Sequence, residues 1–331
     1  MLMSMTTKKP IRKVAFIGLG NVGGKLAGSL LRNGFDLQVR DLSREAAAPL
    51  LERGARFGES PRKMAEEADI LITCLPTPQA SAAVMEDAAE GALAGLSAGK
   101  IWMEMSTTDE TEVRRLGELV MARGAGALDS PVSGGCHRAA TGNIAIFAGG
   151  ERATFEAALP ALTAMGRKIL HAGPLGAASV LKVVTNYLAT ANLVSLCEAL
   201  VTAKLAGMDL NTTYEAVRIS SGNSFVHETE SQVILNGSRN INFTMDLVCK
   251  DIGLFAAIAE RCDLQLELAP LLVEIFRDGA KKYGAREWSP NIIRRLEEAC
   301  GAEIRADGFP AEMTDTEPES RGAEVVVARG D

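Results

Sequence analysis

The chain has 331 residues, 47% of them hydrophobic and 23% charged, which is globular rather than disordered composition and long enough for two domains. Acids outnumber bases by 42 to 35, for a net charge of −7, and the Lys and Arg residues are scattered among the acids. A nucleic-acid surface, which needs clustered bases, is therefore excluded as a working class.

Residues 1–10 read as a loose leader. From 11 to about 173, short apolar, β-rich runs at 14–17, 37–39, 70–75, 101–104, 127–129 and 144–148 alternate with helical spacing, clearest at 24–33 and 111–123. Strands alternating with helices predict a Rossmann-like α/β domain over 11–173, a parallel, doubly wound sheet with helices on both faces. After 173 the alternation stops. Residues 178–206 are one long apolar helical run closed by Gly207. Thr212 with Glu215 reads as a capping box opening the next helix, and helical stretches follow near 243–262, 266–283 and 289–300. This predicts an all-helical second domain over 174–301, joined to the first by the long helix. From 302 to 331 the chain turns acidic and rich in Pro and Gly (Asp315, Glu317, Pro318, Glu319, Gly322), predicting a mobile tail.

The six cysteines lie far apart with no C-x-x-C pair, so neither a metal site nor a disulfide framework is expected. No apolar stretch after Lys8 and Lys9 suggests a signal peptide, and no run approaches the roughly 20 apolar residues of a membrane span. A cytoplasmic protein with no membrane partner is expected.

Gly18-Leu19-Gly20-Asn21-Val22-Gly23 follows the first predicted strand and opens a helix. Gly18 allows the tight turn, Gly20 lets the backbone approach a pyrophosphate, and Gly23 lets helix and strand pack closely. With Asn21 and Val22, they would seat the phosphates on free N–H groups at the helix start. Asp41, at the end of the second strand, is placed to accept hydrogen bonds from the adenosine ribose. A carboxylate there repels a 2′-phosphate, so NAD is favoured over NADP. Arg40 and Arg44 either soften that preference or are solvated surface charges.

Three later segments carry polar chemistry. Ser106-Thr107-Thr108 follows the fourth strand, and it either faces the ligand crevice or caps the next helix. Asp129 through Gly135 ends in Ser133-Gly134-Gly135, whose backbone N–H groups either bind a carboxylate or make an ordinary turn. Lys182 and Asn186, four apart on the long helix, share one face of an otherwise apolar stretch. Such a lysine either snorkels to solvent or takes the proton of a hydroxyl being oxidised.

The ordered set Gly18 to Gly23, Leu75-Pro76, Ser106-Thr107, Asp129 to Gly135, Gly176 to Asn186 and Lys250-Asp251 resembles the β-hydroxyacid dehydrogenase family over roughly residues 11–300. That family includes 3-hydroxyisobutyrate dehydrogenases and tartronate semialdehyde reductases. The resemblance implies an NAD(P)-dependent oxidoreductase acting on CH–OH, interconverting a small 3-hydroxy acid and its semialdehyde. It implies Lys182 as general acid/base with Asn186 beside it, and Ser133, Gly134 and Gly135 on the substrate carboxylate. Leu75, Pro76 and Thr107 would line the cofactor, Lys250 would lie near its nicotinamide end supported by Asp251, and the assembly would be a homodimer or homotetramer. Ser220 to Asn223 matches a further segment near the substrate pocket.

The sequence departs from the pattern at Gly176-Ala177-Ala178, at Ala80, at Glu287 and at His137-Arg138. Arg138 is either a surface substitution or a cation for a more anionic substrate. His137, His171 and His227 share no spacing, and His171 in an apolar run reads as structural. Imine reduction on the same scaffold is disfavoured by Lys182, and phosphogluconate-type decarboxylation by Thr185 before Asn186. A non-catalytic NAD(P)-binding module would be marked by loss of the lysine.

Overall fold

The computed structural model describes residues 11–327, so the leader expected over 1–10 lies outside the described residues. The first half runs β1 (Lys13–Ile17), α1 (Gly23–Arg32), β2 (Asp36–Arg40), α2 (Arg44–Leu51), β3 (Arg56–Phe57), α3 (Pro61–Glu67), β4 (Ile70–Thr73), α4 (Pro78–Glu86), β5 (Ile101–Glu104), α5 (Glu110–Met121) and β6 (Gly126–Asp129). It continues through β7 (Val132–Ser133), α6 (Gly135–Thr141), β8 (Ile144–Gly149), α7 (Arg152–Met165) and β9 (Gly166–Gly173). The second half holds α8 (Ala177–Leu205), α9 (Leu210–Arg218), α10 (Phe225–Asn236), α11 (Met245–Arg261), α12 (Leu268–Tyr283) and α13 (Arg294–Cys300), and a last strand, β10 (Ala323–Glu324), follows.

One sheet carries the first half, in the order β10-β9-β8-β6-β5-β4-β1-β2-β3, with β7 beside β8. Strands β4 and β5 are buried at every residue, as central strands covered on both faces must be. Alternate side chains feed two layers. Val14, Phe16, Ile70, Ile72 and Met103 pack on one face with Leu26 and Leu30 of α1. Ala15, Ile17, Leu71 and Trp102 pack on the other with Met64 of α3 and Leu116 of α5. The pairs Ile17↔Arg40 and Ile17↔Thr73 bring the ends of β2, β1 and β4 level. Gly18, Asp41 and Cys74 therefore leave the sheet side by side, at the point where strand order reverses.

The sheet is predominantly parallel as expected, and its exception is β8, which pairs antiparallel with β6 and β7. Strand β7 pairs with β8 as Val132↔Ile146 and Ser133↔Ala145, the chain reversing through the short helix α6 instead of crossing over the sheet. Strands β9 and β10 then run parallel to β8. The proposed Thr212 cap is also corrected. Asp209 caps α9, accepting from the Thr212 N–H at 2.8 Å, and Glu215 instead bonds Arg218. Helix α10 lies in a segment where no helix was expected.

Helix α8 forms the spine of the second core: its Leu193, Leu196 and Leu200 pack with Ile252 of α11 and Leu272 and Phe276 of α12. Its mean hydropathy reaches 1.3 over an 18-residue window. Among the described residues it is the one helix long and apolar enough by length and composition to cross a membrane, although Lys182, Asn186, Glu198 and Lys204 interrupt its apolar run. Here it links the two halves instead.

The mobile tail is the largest correction. Ile304 is fully buried in the helical core, and Phe309 meets Tyr214 edge-on at 5.0 Å. Further on, β10 adds in parallel to β9, with Ala323 opposite Lys168. Acidic composition resembled disorder because the partners of these residues lie on distant elements.

Candidate active site

The glycine-rich turn divides into residues the fold needs and one it does not. Gly18 has φ +99°, and a Cβ there would lie 2.2 Å from the Cys74 carbonyl oxygen. A Cβ on Gly23 would lie 2.1 Å from the Gly18 carbonyl oxygen. A Cβ on Gly20 would meet nothing within 4 Å. Its openness therefore serves space outside the protein. Helix α1 starts with no side-chain cap and no acid in its first turn, and its first backbone bonds run from the Gly24 and Lys25 N–H groups back to the Gly20 and Val22 carbonyls, so the positive helix end at the turn before them is answered by no side chain of the helix. A positive helix end beside an open glycine fits a bound pyrophosphate.

Asp41 accepts from the Leu19 N–H at 2.7 Å and the Ser43 N–H at 3.0 Å, fixing its carboxylate against the turn. Arg40 donates to the Gly58 and Glu59 carbonyls at 3.0 and 2.7 Å, and the Arg44 guanidinium stacks 4.5 Å from the Phe57 ring centroid. Both arginines have partners, so neither is simply a solvated charge.

Below Leu75-Pro76 and Ser106-Thr107 lies a carboxylate that sequence reasoning passed over. Glu104 is fully buried, and it accepts from Thr73 Oγ1 at 3.0 Å, from the Ser106 N–H at 2.9 Å and from the Ser106 hydroxyl. Ser106 Oγ in turn accepts the Leu75 N–H at 2.7 Å, and Trp102 Nε1 donates to Thr73 at 2.9 Å. Burial pushes the Glu104 carboxyl up, while the Ser106 and Thr73 hydrogen bonds oppose the shift. Glu104 thus holds both loops in one network. An acid closing an apolar strand was the only signal available.

Asp129 does the same for the long helix. It is fully buried and accepts from the Gly176 N–H (2.8 Å), the Ser179 N–H (2.7 Å) and Ser179 Oγ (2.8 Å). Burial pushes its carboxyl up against these bonds. The first turn of α8 is therefore pinned to the end of β6, where the 133–135 loop begins. Gly134 and Gly135 have φ of +125° and +84°, values that L side chains rarely adopt.

Lys182 sits one turn beyond Ser179 and is only 8% exposed. Its Nζ donates to Asn186 Oδ1 at 2.7 Å, Asn186 Nδ2 donates to Asp251 Oδ2 at 2.5 Å, and Lys250 Nζ pairs with Asp251 Oδ1 at 2.9 Å. Lys250 also donates to the Thr107 carbonyl oxygen at 2.5 Å, tying the helical half to the loop after β5. An ionised carboxylate only accepts, so Asp251 forces Asn186 to turn Nδ2 toward it and Oδ1 toward Lys182. Burial, opposed by the Asp251 carboxylate and helped by nearby Lys250, brings the Lys182 pKa down to about 8. The solvated alternative is thereby removed: the side chain is buried and aimed along a polar chain.

Asn21 Nδ2 reaches the Asn242 carbonyl of the helical half at 3.5 Å. His137 and Arg138 both meet Phe225, at 6.4 Å between rings and 4.9 Å from guanidinium to ring. The segment from Ser220 to Asn223 leads into that same residue. His171 Nε2 lies 2.9 Å from the Gly150 carbonyl oxygen and its ring packs on Phe155, a structural role. Glu287 Oε2 accepts from Asn291 at 3.1 Å.

Comparison with known proteins adds an independent line. Residues 13–173 match the family model described as the NAD binding domain of 6-phosphogluconate dehydrogenase. Residues 176–296 match that described as NAD-binding of NADP-dependent 3-hydroxyisobutyrate dehydrogenase. The chain is 31% identical over 293 residues to 2-(hydroxymethyl)glutarate dehydrogenase of Eubacterium barkeri, covering 88% of this chain and 97% of that one. It is 33% identical over 294 residues to NAD-dependent L-serine dehydrogenase of Pseudomonas aeruginosa, covering 86% and 98%. The solved 3-hydroxyisobutyrate dehydrogenase of Salmonella typhimurium superposes with a TM-score of 0.79 at 28% identity, covering 86% and 99%. The chain belongs to the β-hydroxyacid dehydrogenase family of NAD(P)-dependent oxidoreductases.

Proposed function

We propose that the protein oxidises a short 3-hydroxy acid to its semialdehyde, reversibly, with Lys182 as the proton-transfer residue and NAD as the preferred cofactor. The observation that carries this reading is the burial of Lys182 on a polar chain, with its pKa brought down to about 8. Near that pH the amine is neutral often enough to take the hydroxyl proton in oxidation, and charged often enough to return it in reduction. Asn186 holds one face of the amine, and Asp251 fixes Asn186. The N–H groups of the 133–135 loop, with the Ser133 hydroxyl, receive the substrate carboxylate at the same sheet edge, because Asp129 pins α8 there.

The cofactor, when bound, supplies the hydride acceptor and donor. Gly18, Gly20, Asn21, Val22 and Gly23 would hold its phosphates, Asp41 its ribose, and Leu75, Pro76, Thr107 and Lys250 its nicotinamide side. The preference for NAD rests on Asp41, held in place by two N–H groups, and on Arg40, already committed to two carbonyls. Lys182→Ala is expected to lose roughly 10²–10⁴ in kcat with NAD affinity unchanged. An NADH absorbance assay with short 3-hydroxy acids and their semialdehydes, run with NAD and NADP, measures it; full turnover in that variant refutes the assignment.

The protein is further read as a cytoplasmic homodimer or homotetramer without nucleic-acid or membrane partners. Leu181 and Leu188 on the linking helix are 37% and 54% exposed, and Leu205 and Met208 at its end 60% and 51%. A second copy would cover such a face.

A further inference from the structure

The match to the family ends at residue 296, and the relatives are matched over 97–99% of their length by 86–88% of this chain. Residues 302–327 lie beyond that shared core, and they touch both halves of the molecule. On the helical half, the Ala306 N–H donates to the Leu235 carbonyl oxygen at 3.1 Å, Asn236 Nδ2 to that of Phe309 at 2.8 Å, and Ser238 Oγ to that of Ala311 at 2.6 Å. On the nucleotide half, Arg32 pairs with Glu319 at 3.0 Å, Arg152 with Glu324 at 2.5 Å, and Arg167 with Glu317. The chain then adds β10 to the sheet edge.

Between these two sets of contacts stands Asp315. It accepts from the Thr141 hydroxyl and from Asn143 Nδ2 at 2.7 Å, and Asn143 Nδ2 also donates to the Glu317 carbonyl oxygen at 2.8 Å. Thr141 is the last residue of α6, and Gly135, the first, belongs to the 133–135 loop. The helix is only seven residues long, too short to hold its place by itself. It is also held by α1, whose Ser29 Oγ and Arg32 Nη2 donate to the Ala139 and Ala140 carbonyl oxygens at 3.4 and 2.9 Å, and it meets Phe225 of the helical half under His137 and Arg138.

We propose that residues 302–327 are a latch that fastens the two halves together, and that Asp315 is the positioning residue that holds α6, and through it the 133–135 loop, in its substrate-ready place. This rests on the assignment of that loop to the substrate carboxylate. Asp315 touches no reacting atom. It acts by fixing the far end of a short helix whose near end does the binding.

The test uses the full chain carrying Asp315→Ala, Asp315→Asn or Gly322→Val. The asparagine keeps an oxygen able to accept both bonds but removes the charge. A Cβ at Gly322 would lie 1.9 Å from the Gly166 carbonyl oxygen, so valine unseats β10 at an independent point of the latch. Amide hydrogen exchange over 133–141 is expected to quicken on the order of tenfold in Asp315→Ala and measurably in Gly322→Val, while β1 and β4 stay protected. Asp315→Asn restores slow exchange. In the NADH assay the KM for the acid rises in step with exchange, with the KM for NAD unmoved. Unchanged exchange over 133–141 in Asp315→Ala, or an equal acid KM in all four proteins, overturns the latch. Should the unsubstituted protein turn over no 3-hydroxy acid, the functional reading fails by itself and the exchange measurement decides the latch alone.

Discussion

Lys182 is kept uncharged part of the time by burial, and that has consequences for both rate and stability. Its folded pKa of about 8 lies below the ordinary 10.5, so between these values the unfolded chain binds the proton and the folded one does not. Stability therefore rises with pH across that window, and the contribution is smallest below pH 8, where the buried ammonium must be kept charged. Denaturant titrations of wild type and Lys182→Met from pH 7 to 10.5 are expected to show the wild type gaining about 3 kcal/mol relative to the variant. The rate of oxidation is expected to climb through about pH 8 and level off, and the rate of reduction to fall through the same pH. A flat profile in both directions would remove lysine from the proton-transfer role.

Glu104 is the second residue whose burial makes a prediction. Glu104→Ala leaves Thr73 Oγ1 and the Ser106 N–H without their acceptor inside the protein. Unpaired buried donors cost about 1–3 kcal/mol each, so a loss of roughly 2–4 kcal/mol in thermal or denaturant unfolding is expected. A raised KM for NAD should accompany it, since the Leu75 and Ser106 loops lose their common anchor. Asp129 is of the same kind, except that it anchors a helix rather than two loops.

At the scale of elements, the strand-turn-helix unit of β1 and α1 separates folding from binding. Gly18→Ala places a Cβ against a backbone carbonyl in a left-handed conformation, so it is expected to destabilise by more than about 1 kcal/mol. Gly20→Ala meets no protein atom, so its unfolding midpoint should match wild type while its affinity for NAD falls. Calorimetry paired with NAD titration separates the two; a stable Gly18 variant or a destabilised Gly20 variant would reverse the division. The element reading was weakest at the two-residue strands β3 and β7, at β9 (Gly166–Gly173), where no strand was expected, and at α10, whose apolar positions give little helical asymmetry. Short strands carry no period to read, and their pairing is decided by neighbours.

For the whole molecule, the exposed leucines of α8 and the latch make different demands. A second copy covering the α8 face should give a native mass of two or four chains by light scattering, and Leu188→Glu should shift it toward one. The latch is held partly by exposed ion pairs, individually weak and screened by salt. Its hold should loosen at high ionic strength before the helical core, which is apolar, responds at all.

Those two sites also mark the border between what is local and what is not. The nucleotide turn, its acid at Asp41 and the Lys182–Asn186 pair are written within single elements or adjacent ones, where periodicity and spacing act, so the sequence alone could nominate them. The convergence of Asn186 with Asp251 spans 65 residues, that of Lys250 with Thr107 spans 143, and that of Asn143 with Asp315 spans 172. Contacts at such separations depend on how the sheet and helices are laid together, which no local pattern encodes. The same holds for the acidic segment after residue 301: its composition alone matches a solvated tail, and only arginines and amides brought up by distant elements turn it into a latch.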